Sequence, residues 1–292
     1  IEYAEAARQI YFDIGEQRGM GDALNRIGGL FRRQGFTEES RHYLAQALAM
    51  HQQIGYKKGT AESLYRLGIV YHTQGKWAEA LAQYQDALRI YQEIGDKEGV
   101  ADTFNVMGET YRAEGKLDEA LQVYQQSLEL ERDIGGKRGV MMCLNNLGAT
   151  YLFAGNAEKA LDLLRQSTAL QKEQGNVDGI PETLAFLSAA TWQLGRADDA
   201  LGYSQTAVQV LQHKNFDDDE VQLVHFYRYQ IFAGIGRDED ADEALRIAYK
   251  NMMQQANAIK DSDVRHSFPQ SSPVRREIIL AWETRRLSAS GG

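Results

Sequence analysis

The sequence predicts an all-α solenoid of antiparallel helix pairs, and three observations carry that prediction. Glycines recur on a 40-residue ruler, as Gly35, Gly75, Gly115, Gly155 and Gly195 and again as Gly15, Gly55, Gly95, Gly135 and Gly175. A third series, Gly28, Gly68, Gly108 and Gly148, keeps the same step and gives way to Ser188 in the fifth place. The only prolines are Pro181, Pro269 and Pro273, so almost everything before the tail is free to be helical. A fixed period of this length is the signature of a repeat array. Such an array offers a long binding surface and no enclosed catalytic pocket.

Taken in order, residues 1–17 read as the second helix of a truncated repeat, because Tyr11, Ile14 and Gly15 align with Tyr91, Ile94 and Gly95. No capping residue precedes this helix, and the expectation is that the natural protein extends upstream. An incomplete repeat would leave Tyr3, Ala7, Ile10 and Tyr11 as an apolar face suited to self-association. Residues 18–213 hold five units of 40 residues. In the unit at 60–99, Leu64, Leu67, Ile69, Val70 and Tyr71 form a first helix that ends at Gly75. Trp77, Ala80, Leu81, Tyr84, Ala87, Leu88, Tyr91 and Ile94 follow at i, i+3, i+4 and i+7 spacings until Gly95. The small Gly68 and Ala80 mark the place where the two helices cross. A glycine inside a helix costs about 1 kcal/mol relative to alanine, so its recurrence implies close packing there.

Residues 214–260 read as a degenerate sixth hairpin that starts near Asp217 to Glu220. Ala244-Leu245 lies 44 residues beyond Ala200-Leu201, which suggests an insertion between Arg237 and Asp242. Residues 261–292 read as a Ser- and Pro-containing linker, a capping helix near Val274 to Leu287 and a flexible tail.

Composition narrows the function. A net charge of −9 and a pI near 5.3 argue against general binding to nucleic acid or anionic membrane. No apolar run is long enough to span a bilayer, and no charged-then-apolar leader is to be seen, so neither a membrane span nor a signal peptide is expected in this sequence. The single Cys143 fits a reducing compartment, so a cytoplasmic location is expected. His42, His51, His72, His213, His225 and His266 have no metal-ligand spacing, and no phosphate-binding glycine loop occurs. The expectation is therefore no catalytic residue, no metal and no cofactor.

Leu64, Leu67, Gly68, Tyr71, Ala80, Tyr84 and Ala87 resemble the tetratricopeptide-repeat signature. Phe104, Met107, Gly108, Tyr111, Ala120, Tyr124 and Ser127 repeat it, as do Leu144, Leu147, Gly148, Tyr151, Ala160, Leu164 and Ser167. The unit is six residues longer than the usual 34 and lacks the closing proline, as in Pins-type adaptors, kinesin light chains and bacterial signalling proteins. Arg265, Ser267, Phe268 and Arg276 to Ile278 resemble a tail found after such repeats in large bacterial signalling proteins.

The resemblance implies a right-handed superhelix whose first helices line a concave groove. It places Asn25, Arg32, Arg33, Tyr65, His72, Asn105, Glu109, Arg112, Asn145, Leu152, Phe153 and Trp192 there as peptide-binding candidates. Arg32, Arg33 and Arg112 are suited to carboxylates and the asparagines to a peptide backbone, whereas Leu152, Phe153 and Trp192 suit apolar anchors. The function implied is a scaffold that holds a peptide or helix of a partner protein, as the regulatory part of a larger bacterial signalling protein. The alternative is a peptide-sensing regulator of an attached DNA-binding, ATPase or cyclase domain.

Overall fold

The computed structural model describes residues 2–174, 180–213, 216 and 218–290. The expected turn at Gly175, the acidic Asp217 and the last two residues of the tail lie outside the described residues. In chain order the α-helices are α1 (Glu2–Asp13), α2 (Gln17–Arg33), α3 (Thr37–Gln53), α4 (Lys57–Thr73) and α5 (Trp77–Ile94). Next come α6 (Lys97–Glu114), α7 (Leu117–Ile134), α8 (Lys137–Phe153), α9 (Ala157–Glu173) and α10 (Ile180–Gln193). The last are α11 (Ala197–His213), α12 (Asp218–Gly234), α13 (Asp238–Ala258), α14 (Ser262–Ser267) and α15 (Pro273–Ser290). A 3-10 turn spans Phe268–Gln270, and there is no strand among the described residues.

The chain forms two compact bodies. The first comprises Ile1–Glu114 and Asn257–Phe268, and the second comprises Gly115–Ala256 and Pro269–Gly292. In the first, α2 pairs with α3 and α4 with α5, and the first helices α2, α4 and α6 lie side by side. In the second, α8 pairs with α9 and α10 with α11, with α8, α10 and α12 side by side.

Turns follow the glycine ruler. Gly15, Gly35, Gly55, Gly75, Gly95, Gly115, Gly135, Gly155, Gly195 and Gly236 all have positive φ, and no other residue type does among the described residues. At Gly95, with φ 71°, the left-handed backbone lets Asp96 N–H reach Tyr91 O at 2.9 Å and closes α5. A side chain at that φ would be strained.

The second glycine requirement is steric. A Cβ at Gly68 would lie 2.4 Å from the Tyr84 ring, and one at Gly28 or Gly148 would lie 2.6 Å from Leu44 or Leu164. The fifth repeat replaces both partners, setting buried Ser188 sixteen positions before buried Ser204. A further series went unread in the sequence. A Cβ at Gly99 would fall 2.5 Å from the Tyr91 ring, one at Gly59 2.8 Å from His51 and one at Gly139 2.0 Å from Glu131. Here the last turn of one second helix covers the following first helix.

One expectation is corrected. α13 starts two residues after Gly236, as α11 starts two residues after Gly195, so no insertion follows Arg237. Ala241, 0 % exposed, takes the place of Ala200, and the extra residue lies upstream of Gly236. Ala244 misled the alignment because α13 carries small residues at Ala241, Ala244 and Ala248, all buried.

The ends differ in burial. α1 buries no residue, and Tyr3 is 93 % exposed. At the other end α15 buries Val274 and Ile278 and stacks Trp282 on Tyr249, ring centroids 4.4 Å apart. Its Arg285 pairs with Asp238 at 3.1 Å.

Candidate functional site

In the first body, α4 touches both α2 and α6, which makes a face of three neighbouring first helices. Arg32 and Arg33 close α2. Arg32 is half-buried, and among the described residues its guanidinium makes no hydrogen bond or ion pair. Burial lowers its basicity, and Arg33 and Arg66 lower it further, while the phenols of Tyr84 and Tyr65 oppose them. No carboxylate is among the groups that act on it.

Arg66 of α4 reaches toward α2, its Nη1 3.3 Å from where a Gly29 Cβ would stand. The same side chain donates to Glu62 Oε1 through Nε at 3.0 Å and Nη2 at 2.7 Å. Acidic groups gather on the other side. On α6, desolvation pushes the Asp102 carboxyl up, and Glu98 and Asp96 add to it. The Glu109 carboxyl is also pushed up by burial, against the pull of Arg112 and of the Asn105 amide, which donates to it at 3.2 Å.

Tyr65 stands between the two sets, its ring 6.1 Å from that of Tyr84. Burial raises its phenol most, then Asp102 and Glu109 raise it, while Arg66 and Arg32 lower it. The face is thus cationic at the end of α2 and anionic around Asp102 of α6, where Arg112 offsets Glu109 further along, with the Tyr65 phenol between. His72 spans α4 and α6 through Thr110, Nδ1 to Oγ1 2.9 Å.

The corresponding face of the second body is filled by side chains. Phe153 meets Phe186 edge-on at 6.4 Å, and Phe186 meets Tyr227 at 6.0 Å. Trp192 occupies the space beside Gly234, where a Cβ would fall 2.1 Å from its ring. Met142 stays 44 % exposed.

A family model described as Tetratricopeptide repeat matches residues 19–93 and 99–173, just over half of the chain. The chain belongs to the tetratricopeptide-repeat family. No curated protein matches it in sequence. Among solved structures it is similar to BtubC from P. vanneervenii, with TM-score 0.63, 20 % identity, and coverage of 73 % of this chain and 90 % of that one. It is also similar to the Rap conjugation gene regulator of plasmid pLS20 in complex with the Phr* peptide, with TM-score 0.62, 15 % identity and coverage of 92 % and 76 %. A third is a signal-transduction ATPase from Pyrococcus horikoshii with a tetratricopeptide repeat sensor, at TM-score 0.67 and 14 % identity. There the match covers 86 % of this chain and 39 % of that one. Identities this low show a shared fold.

As a tetratricopeptide-repeat protein the chain departs from the expected groove at several positions. Asn25, Asn105 and Asn145 are 1 %, 6 % and 7 % exposed rather than open. Their place in the repeat directs them along the row of first helices. Asn25 Oδ1 lies 3.0 Å from Ser63 Oγ of α4, and Asn145 donates to Glu182 of α10 at 3.1 Å. Ser63 in turn meets the buried His51 at 3.1 Å, and His51 faces Asp22 at 3.3 Å. Leu152 is core at 3 % exposure, because it follows the buried Leu144 and Gly148 at four-residue spacing on one helical stripe. Phe153 and Trp192 are half-buried, since Phe186 and Gly234 of the neighbouring helices receive them.

Glu109 and Arg32 both act electrostatically on Tyr65, His72 bridges α4 and α6, Arg112 pulls on Glu109, and Arg33 is exposed beside Arg32. The sequence reading missed Arg66. Its spacing from Glu62 and Ile69, four and three residues, puts it on the same helical stripe and was the available signal.

Proposed function

We propose that this chain is a protein-interaction scaffold that binds a peptide or helix of a partner on its first helices, within a larger bacterial signalling protein. The observation that carries the reading is Arg32, a half-buried guanidinium with no counter-charge among the described residues. Burying a charge without a partner is costly, and a ligand carboxylate would relieve that cost. Tyr65 beside it, half-buried on α4, supplies rigid aromatic surface of the kind that anchors ligands. The pLS20 regulator, solved with its Phr* peptide, supports a peptide as the ligand class.

A photo-crosslinking residue at Arg33, on the first-helix face, tests this against one at the exposed Gln85 of the second helix α5. Partner protein captured through position 33 and not through 85 is the expected outcome. Capture through 85 alone would place the working surface on the second helices.

A second reading rests on the Pyrococcus horikoshii protein, whose repeats are described as its sensor. Under it, peptide binding changes the output of an attached DNA-binding, ATPase or cyclase domain. Measuring that output in the full-length protein with and without bound peptide separates the two readings.

A further inference from the structure

We infer that the first body selects a dipolar peptide, seating an acidic group on Arg32 and Arg33 of α2 and a basic group on Asp102 and Glu109 of α6. This rests on the reading of the first helices as a peptide-binding face and adds the chemistry of the ligand. Arg32 and Arg33 have no ion pair among the described residues, whereas Arg66 and Glu62 satisfy each other in the middle of the face. Asp102 likewise makes no ion pair or hydrogen bond among the described residues, and Glu98 and Asp96 beside it add to the local negative charge.

The Tyr65 phenol responds to both ends at once, with the acids raising it and the arginines lowering it. α4 packs between α2 and α6, which sets Tyr65 between the two charge sets. They therefore border a common strip of surface and do not belong to separate faces. A uniformly acidic ligand would meet repulsion at α6, and a uniformly basic one at α2. Only a ligand with opposite charges at its two ends is favoured along the whole strip.

The span sets the length. Neighbouring packed helices lie about 8–10 Å apart, so α2 and α6 are separated by roughly 20 Å across α4. An extended chain advances about 3.3–3.6 Å per residue, which makes the interval about six residues. A helix of six residues would cover only about 9 Å. A helical occupant would need about thirteen residues for the same span, so a six-residue interval between the charges suits an extended occupant and fixes the length of the probes.

The test uses the full chain and three blocked, fluorescein-labelled octapeptides with a common neutral centre. One carries two Asp at one end and two Lys at the other, one carries Asp pairs at both ends, and one carries Lys pairs at both ends. Fluorescence anisotropy at low salt should show the dipolar probe binding at least tenfold tighter than either uniform probe. Arg33→Glu should transfer the preference to the Lys-ended probe, and Asp102→Lys should transfer it to the Asp-ended probe. Both exchanges together should restore the dipolar preference.

Arg33 and Asp102 are exposed, so the variants should retain wild-type helicity, and Arg33→Gln with Asp102→Asn replaces any that does not. Equal affinity for the three probes, or a preference that neither exchange moves, overturns the inference. Hydrogen exchange with each probe bound separates this from the underlying reading. Protection on α2, α4 and α6 without charge order defeats the inference alone, and absence of protection there with every probe defeats both.

Discussion

Gly68 and Tyr84 show how a single position carries the repeat. The ring occupies the volume that any side chain at 68 would need, with a Cβ only 2.4 Å away. Gly68→Ser should therefore destabilise the chain by about 1–3 kcal/mol, the usual range for overpacking. In the fifth repeat Ser188 and Ser204 hold the corresponding places. Adding Tyr84→Ser should then cost less in the Gly68→Ser background than alone, and urea unfolding of the four forms would give a coupling of about 0.5–3 kcal/mol. Strict additivity would contradict the packing account. His225 offers a pH test, because burial foremost and then Arg228 depress it to about 4 against an opposing Glu243. A histidine with a folded pKa below its unfolded value near 6.5 loses stability as pH falls from about 6.5 to 4, by up to about 3 kcal/mol. Glu109 and Glu277 are raised, so they favour the folded state as pH falls, with opposite sign. The measurement is thus a difference: His225→Gln should lose less stability between pH 7 and 4 than the wild type. The sequence disclosed these local rules unevenly. Gly68 was legible because glycine is conspicuous at a fixed step, while the burial of Asn25 was not, since its partner Ser63 lies 38 residues away on another helix.

At the level of elements, α15 closes the second body with a stripe spaced by four, Val274, Ile278 and Trp282. That stripe was readable before the structure, as was its start, because Pro273 suits the first turn of a helix. Trp282 lies 7° from parallel with Tyr249, and aromatic pairs of this kind contribute about 0.5–1.5 kcal/mol beyond their buried area. Trp282→Ala should raise hydrogen exchange across α15 and the facing turns of α12 and α13 while leaving α4 and α5 unchanged. Protection of α15 equal to that of the wild type would show that the ion pairs of Arg285 and Arg275 hold the helix without the ring. The start of α13 was misread for a physical reason. Its Ala241, Ala244 and Ala248 are interchangeable in a periodic pattern, Ala241 and Ala244 both cluster with Phe232, and only the distance from the turn at Gly236 distinguishes them.

At the scale of the whole chain, a repeat array owes its stability to neighbours, so elements with one neighbour should open first. α1 packs chiefly on α2 and buries no side chain, and its amides should exchange fastest in the first body, whereas α4, packed against α2, α3, α5 and α6, should be slowest. One tie escapes this nearest-neighbour rule. Asp261 accepts from the Thr37 hydroxyl 224 residues earlier, and its own N–H reaches Gly35 O at 3.4 Å. The same carboxylate caps α14 through Asp263 N–H at 3.0 Å and Val264 N–H at 3.2 Å. Nothing in a 40-residue period could disclose such a contact. Burial pushes the Asp261 carboxyl up, yet the Thr37 hydroxyl, the two amides and Lys76 outweigh it and hold the carboxyl below its usual range. A depressed carboxyl stabilises the fold above its unfolded pKa, and that stabilisation is lost as pH falls through the lower folded value. Asp261→Ala removes a helix cap and the long-range tie together, at about 0.5–2 kcal/mol for the cap. Exchange should accelerate in the first turns of α3 and α14 and remain unchanged in α4 and α5, and in the wild type the same pattern should emerge on acidification below about pH 4. Acceleration spread evenly over the first body would instead make Asp261 part of its cooperative core, and no acceleration at α3 would leave Thr37 independent of it.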